Sequence, residues 1–316
     1  MAQKLLSVLG AVVATAGLQL LVLRLISQEQ SSFLVIAGSG LAFLVPWPVA
    51  ILVLRQGYRA AMAALFASGL LLGAAGSWPL AVAYLVQFGL GSVIVPHLLM
   101  KGWNWGAAVL TGTGLSVGGG IFALSAFSLQ QGQSPLAFAD SWARTEVDRA
   151  ILALNSANLP ADVAQQTERM IQDLGNKLVE LYPAMSILTV AGMLLVMVLF
   201  LNRKAGQLLP SQSPFHAWKV AEHIVWILIV SGAAVLFLNG AWQRLAMNVV
   251  VVVLAIYFLQ GLAILSYFLN VKGVPPVFRV LGYFLVVASF PLRVLATGVG
   301  IFDLWIDFRK PRNHKD

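Results

Sequence analysis

The feature that most limits what this chain can fold into is a succession of apolar runs, each long enough to cross a bilayer. A helix needs roughly 20 predominantly apolar residues to span about 30 Å of hydrocarbon. Such runs stand at about 5–26, 33–54, 59–76, 79–100, 105–128, 184–202, 217–239, 245–270 and 276–306. Only 10% of the 316 residues are charged, against about 25% in an ordinary soluble domain. So few charges cannot cover a water-facing surface. A soluble enzyme, a nucleic-acid-binding domain and a disordered tail are excluded for the chain as a whole. Because lipid offers no hydrogen bonds, each run must satisfy its backbone internally as a helix. The expected fold is all-α: a polytopic transmembrane bundle of about nine or ten spans with one exported helical hairpin.

The net charge is +8. In a soluble protein that would suggest nucleic acid; here the positive-inside rule accounts for it. Lys4, Arg55, Arg59, Lys101, Arg203, Lys204, Lys219 and Lys272 fall on one side of the expected spans. That side is read as cytoplasmic, with Arg24 and Arg244 as exceptions. The interval 129–182, with four basic and seven acidic residues, falls on the other side. Both termini are then expected in the cytoplasm, and the membrane is expected to be the bacterial inner membrane. Lys4 and Ala14-Thr15-Ala16 imitate a signal peptide, but the apolar stretch runs on to Ile26, so an uncleaved first span is expected.

The last stretch, 276–306, is too long for one simple span and holds Arg293. As one span it would place Arg309, Lys310, Arg312 and Lys315 outside. Two helices meeting near Pro291, packed as a tight hairpin inside the bundle, remove both difficulties. That gives ten spans, with nine as the alternative. The interval 129–182 predicts a helix capped by Ser134 and Pro135, then a second opened by Pro160 and ended by Pro183. In the second, Val163, Met170, Ile171, Leu174, Leu178 and Leu181 recur at helical spacing. The expected parts are a five-helix membrane bundle (1–128), an extracytoplasmic helical segment (129–183), C-terminal membrane helices (184–308) and a basic tail (309–316).

Polar residues inside apolar runs are the functional suspects, because exposing them to lipid is costly. Asn248, Gln260, Tyr267 and Asn270 lie on the eighth run. Gln260 and Tyr267 share a face; Asn248 lies about 120° from Gln260. Glu222 and His223 are placed one turn into the seventh span, where Glu222 can pair with Lys219. Asp303 and Asp307, at i and i+4, repel unless a cation such as Arg309, Lys310 or Arg312 intervenes. Interhelical hydrogen bonding and an interfacial charge cluster are the structural alternatives to a ligand or polar-core role. Gly69 with Gly73, and Gly114 with Gly118, form GxxxG pairs that suit helix packing. The run Thr111–Gly120 either packs or unwinds around a ligand. His97 after Pro96 is read as a kink and an interfacial side chain.

The chain has no cysteine, which removes thiol catalysis and Cys-ligated metal. It has no GxSxG, HExxH or nucleotide-binding loop, so no catalytic residue, metal or cofactor is expected, and the chain is not read as an enzyme.

The run Phe215-His216-Ala217-Trp218-Lys219, Asn248, Tyr257–Ala263 and the ending Gly300–Lys310 resemble the YybS-like family of bacterial membrane proteins. That family is similar to the substrate-binding subunits of energy-coupling-factor vitamin transporters. The resemblance implies a solute-binding membrane protein without an ATPase. It also implies docking on a membrane partner through small residues of the first helix, here Gly10, Ala11, Ala14, Thr15 and Ala16. Two main functions stay open, beside an intramembrane enzyme acting on lipid at Asp303 and Asp307 or at Glu222 and His223, for which no nucleophile–base pair is in view. One is solute binding or transport, with partners in the lipid bilayer, a small solute and a membrane protein. The other is an envelope scaffold or assembly factor without a ligand. Neither involves nucleic acid.

Overall fold

The computed structural model describes residues 2–26, 32–75, 78–155, 161–210 and 213–309. Every regular element among them is helical. Seven helices, or helix pairs in line, are long and apolar enough to cross a membrane, and an eighth is added if the last bent pair is one span. This falls below the expected nine or ten, for reasons that lie in two runs, 217–239 and 276–306.

The chain divides into two compact units. The first comprises Met1–Val179 with Thr189–Gln212, the second Glu180–Leu188 with Ser213–Asp316. The four expected parts therefore regroup, because one long helix contributes to both units.

In the first unit, α1 is Ala2–Ile26. The second run is not one helix. It divides into α2 (Ser32–Ala42) and α3 (Trp47–Gln56). Between them Phe43–Pro46 form tight turns, with N–H groups of residues 43, 44, 45 and 47 bonding three residues back. Pro46 and Pro48 lack the N–H that a regular ladder needs at these positions. Helix α4 is Tyr58–Ala75. The next run is α5 (Trp78–Tyr84), a π-turn (Leu85–Gly89) and α6 (Leu90–Met100), which carries Pro96 inside it. Helix α7 is Trp105–Gln130, capped by Asn104, whose Oδ1 accepts from the Ala107 N–H. The run Thr111–Gly120 stays helical throughout.

Helix α8 is Pro135–Asn155. Ser134 caps it, accepting from the Ala137 N–H at 3.2 Å. Helix α9 is Ala161–Ala205 and runs unbroken through Pro183, where the sequence predicts a stop. Its 45 residues extend about 68 Å, more than twice the hydrocarbon thickness. The first half is the amphipathic segment and packs back on α8, with Gly175 against Val147.

In the second unit, α10 (Ile224–Phe237) has only 14 residues, about 21 Å. The expected span began at 217; residues 218–221 instead form no regular element. A turn at Gly240, with φ +66°, leads into α11 (Ala241–Val271). Helices α12 (Pro276–Ala288) and α13 (Phe290–Ile306) break at Ser289, two residues before Pro291, and meet at 100°. They do not form the tight hairpin expected. No residue of α12 is buried, so it is not packed inside a bundle. Helix α13 lies close along α11: a Cβ at Gly300 would stand 2.0 Å from the Tyr257 carbonyl oxygen. One at Gly261 would stand 1.9 Å from that of Ala296. Only glycine permits this approach.

Candidate functional site

The second unit holds most of the polar residues singled out in the sequence, and it uses them on one another. Pro183 has no N–H, which weakens the α9 ladder at that turn. The Asn248 carboxamide enters the gap. Its Oδ1 accepts from the Ala184 N–H at 2.8 Å and its Nδ2 donates to the Glu180 carbonyl at 2.8 Å. Those are the donor and acceptor that a regular helix would pair with each other. The same Nδ2 also lies 2.8 Å from the Arg244 carbonyl. Helix α9 continues through its proline because a side chain 64 residues away supplies the missing partners.

Gln260 forms a second bridge. Its Oε1 accepts from the Val220 N–H at 2.7 Å, and its Nε2 donates to Asp303 Oδ2 at 3.0 Å. Asp303 Oδ2 is also 2.6 Å from Arg309 Nη2, and Oδ1 accepts from the Phe308 N–H at 3.0 Å. Arg309 Nη1 donates to the carbonyls of His216 and Trp218, at 3.1 and 2.7 Å. Both charged side chains are almost fully buried. Asp307 ends α13 with φ 44°, in the left-handed region, which Asp tolerates better than most residues. That reversal folds Arg309 back onto Asp303.

The same contacts explain the irregular strap before α10. Side chains of Gln260 and Arg309 take up backbone groups of residues 216, 218 and 220 that a helix would otherwise have bonded.

Asp303 and Asp307 are thus separated by two different cations. Arg309 pairs with Asp303, and Lys219 Nζ lies 2.8 Å from Asp307. Lys219 was expected to pair with Glu222, its neighbour at i+3. Glu222 and His223 are exposed turn residues before α10 rather than intramembrane groups, since the helix starts later than predicted. Asn270 is exposed, donating to the Ser266 carbonyl at 2.9 Å and accepting from Arg279. Tyr267 is half-buried and makes an edge contact with Phe268. Neither joins Gln260 in one site. Lys310, Arg312 and Lys315 lie outside the described residues.

An open groove of about 460 Å³ runs between α10 and α11, lined by Trp226, Val230, Ser231, Trp242 and Val249 among others. Its lining is almost wholly apolar, so it suits hydrocarbon rather than a polar solute.

Among the described residues, one buried side-chain atom of the second unit, Arg309 Nε, has no hydrogen-bond partner, and the first unit holds five such atoms. Helical Ser and Thr hydroxyls commonly return their proton to the preceding turn, as Ser68, Ser92, Ser125, Ser128, Thr145, Ser231 and Thr297 do here. Thr15 Oγ1, Thr113 Oγ1 and Ser116 Oγ do not, and all three are buried without a hydrogen-bond partner. Gln19 Oε1 and Trp47 Nε1 share that condition.

Three of these five stand on the neighbouring helices α1 and α3. Helices α1 and α3 run antiparallel. Gln56, ending α3, donates to the Lys4 carbonyl at 3.2 Å and also to Ser7, both near the start of α1. Leu52 packs with Ala11 and Val12. Five residues further toward the start of α3 stands Trp47, and the matching climb along α1 reaches Thr15 and Ala16. Thr15 and Gln19, at i and i+4, share a face. Thr15 lies about 20 Å from one end of α1 and about 16 Å from the other. The turns Phe43–Pro46 sit at the middle of the span Ala37–Gln56. The break between α2 and α3 therefore brings one unpartnered polar group, Trp47 Nε1, level with another, Thr15 Oγ1. Trp47 is held there by stacking on Phe200, ring centroids 3.6 Å apart.

The sequence reading passed over this cluster. Its signals were Gln19 inside an apolar run and the flanking of Trp47 by Pro46 and Pro48. The small residues of α1 divide between faces: Ala11, Thr15 and Ala16 are buried, Gly10 and Ala14 exposed. Gly69 and Gly73 lie against Leu85 and Trp78, at 3.2 and 3.0 Å from a built Cβ. Gly114 and Gly118 face open space. It is Gly112, Gly119 and Gly120 that meet Val95, Leu90 and Val86, because residue 114 lies about 200° round the helix from 112.

Apolar spans, a broken helix at mid-span and polar groups turned inward define a polytopic all-helical membrane protein, in contact with the lipid bilayer. Residues 22–304 match the model of a family described as "Predicted membrane protein (DUF2232)", and the chain belongs to that family. Comparison with curated proteins and with solved structures gives no match.

Proposed function

We propose that the protein binds a small polar solute within the membrane, as a transporter or its binding subunit, and that the first unit does the binding. One observation carries this reading. Thr15 and Gln19 on α1, and Trp47 beside the break in the second span, present buried polar atoms without partners. An unmet buried polar group costs about 1–3 kcal/mol, a cost that a bound solute would offset. Discontinuous spans are where transporters place their substrates. The likeness to YybS-like proteins and to energy-coupling-factor binding subunits supports the same reading by analogy. The positions of the basic residues support a bacterial inner-membrane setting with both termini cytoplasmic.

A specific observation favours a scaffold instead. Met170, Leu174 and Leu178, on the first half of α9, are all more than half exposed, an apolar stripe suited to a protein partner. Native mass spectrometry of the protein taken into nanodiscs from its own membranes separates the two. A small-molecule adduct, lost in Trp47→Phe, is the expected result. A bare chain with a stoichiometric protein partner, and no adduct, would replace solute binding by the scaffold reading.

A further inference from the structure

We propose that α12 lies in the plane of the bilayer at the Lys272 end of α11 and binds anionic phospholipid headgroups of that leaflet. The proposal concerns the second unit and does not depend on solute binding by the first.

The register of three helices sets the orientation. Gly300 meets Tyr257 and Gly261 meets Ala296, so α13 runs antiparallel to α11. On that register Phe290, which opens α13, stands level with about residue 267 of α11. At the other end of α12, Arg279 donates to Asn270. Midway, a Cβ at Gly282 would stand 3.9 Å from Leu269. Between Arg279 and Ala288, α12 therefore advances about 14 Å along its own axis but only about 5 Å along α11. The 100° bend between α12 and α13 agrees. Helix α11 is long and apolar enough to cross the membrane, so a helix set across its end lies in the membrane plane.

No residue of α12 is buried. Arg279, Gly282, Tyr283 and Val286 make its half-buried side, where Gly282 meets Leu269. Val277, Phe278, Val280, Leu281, Phe284 and Val287 are each about half exposed or more. They fill about half of the circumference without a polar group. Helices that lie at a membrane interface present such a face to the acyl chains.

The charges fit an anionic headgroup. Lys272 is exposed in the turn after α11. Arg279 is held at the same turn by the Val274 carbonyl, at 2.6 Å, and by the Asn270 carboxamide, both neutral. Arg293, exposed in the first turn of α13, lies 5.8 Å over the Phe290 ring. The sequence has no Asp or Glu from Ile224 to Phe302. Beyond it, Asp303 and Asp307 are paired with Arg309 and Lys219. Three cations thus flank an in-plane apolar helix, and α11, α12 and the first half of α13 offer them no carboxylate. Each basic residue near an anionic surface favours it roughly 5-fold.

The test uses the full chain in nanodiscs of phosphatidylglycerol and phosphatidylcholine in equal parts. Because the chain has no cysteine, Val277→Cys, Leu281→Cys, Phe284→Cys and Ala288→Cys each place one nitroxide on the outer face of α12. Electron paramagnetic resonance reads its depth and its access to oxygen. The expected result is four oxygen-accessible labels within about 5 Å of one depth. In native mass spectrometry phosphatidylglycerol should be retained over phosphatidylcholine. Lys272→Gln with Arg279→Gln should lower that retention at least about 10-fold. Should Arg279→Gln unsettle the turn, Lys272→Gln with Arg293→Gln carries the test and leaves the Arg279 bonds in place. A depth that changes steadily, by about 16 Å over these positions, would make α12 part of a span and overturn the in-plane placement. Labels shielded from oxygen would mean a cover of protein, a second copy or another partner, and would overturn lipid binding. Retention unchanged in both double variants would overturn headgroup recognition.

Discussion

Arg309→Met is the perturbation whose outcome the structure determines most closely. The guanidinium lies 2.6 Å from Asp303 and donates to the carbonyls of His216 and Trp218. Its side chain is 7% exposed and that of Asp303 is 1%, so water can replace little of what is lost. With a methionine, the Asp303 carboxylate keeps only the Gln260 amide and the Phe308 N–H, and two strap carbonyls lose their donor. Removing one partner of a buried ion pair costs about 3–5 kcal/mol. At about 2–4 °C per kcal/mol, Tm should fall by roughly 6–20 °C. Combining Arg309→Met with Asp303→Asn should cost at least about 2 kcal/mol less than the two single losses added, because the second change removes the stranded charge. Thermal unfolding in nanodiscs gives the four stabilities of the cycle. Trypsin cleavage after Lys219 reports the strap, and should quicken in Arg309→Met. A variant as stable as the parent, or two losses that simply add, would refute the claim that Asp303 and Arg309 act as a pair.

The remaining predictions concern other joints of the fold. Asn248→Leu leaves the Ala184 N–H and Glu180 carbonyl to find each other across the proline turn, and should cost about 1–3 kcal/mol. In a Pro183→Ala background, where the regular ladder is restored, the same change should cost less. Equal costs in both backgrounds would sink the bridge. Gly261→Ala and Gly300→Ala put a methyl about 2 Å from a backbone oxygen and should abolish folding, scored by detergent-resistant expression. Gly114→Ala meets nothing within 4 Å and should be neutral or up to about 1 kcal/mol stabilising. Because the chain has no cysteine, single cysteines placed at Ser134 and at Gly102 allow labelling from one side at a time. The charge distribution predicts that an impermeant maleimide added to intact cells labels the first and not the second; the reverse pattern would invert the orientation.

What the sequence made legible is what depends on neighbours along the chain. Apolar length marks the spans, and Ser134 with Pro135 marks the start of α8. Where the reading failed, a distant residue decides the local structure. Pro183 is a stop signal by every local rule, yet α9 continues because Asn248 offers a donor and an acceptor at the right height. Residues 217–223 read as the start of a span, yet Gln260 and Arg309, 40 and 91 residues away, take their backbone groups and delay the helix. The same limit hid the Thr15–Gln19–Trp47 cluster. Each of its members is unremarkable alone, and only the antiparallel register of α1 and α3 brings Trp47 level with Thr15.

The contrast between the two units is the main physical argument about where function lies. Asn248, Gln260 and Asp303 are buried polar groups of the second unit, and each is fully engaged in holding a helix end, a strap or a chain reversal. They attracted attention in the sequence because polar residues in lipid are costly, and in the fold that cost is offset by internal partners. In the first unit the cost stands unmet at Thr15, Gln19, Trp47, Thr113 and Ser116, against Arg309 Nε alone in the second among the described residues. An intramembrane polar residue is informative about a ligand only after its internal partners are counted. By that count Asn248, Gln260 and Asp303 are structural joints, and the unpartnered groups of the first unit are the ones that favour the proposed solute binding.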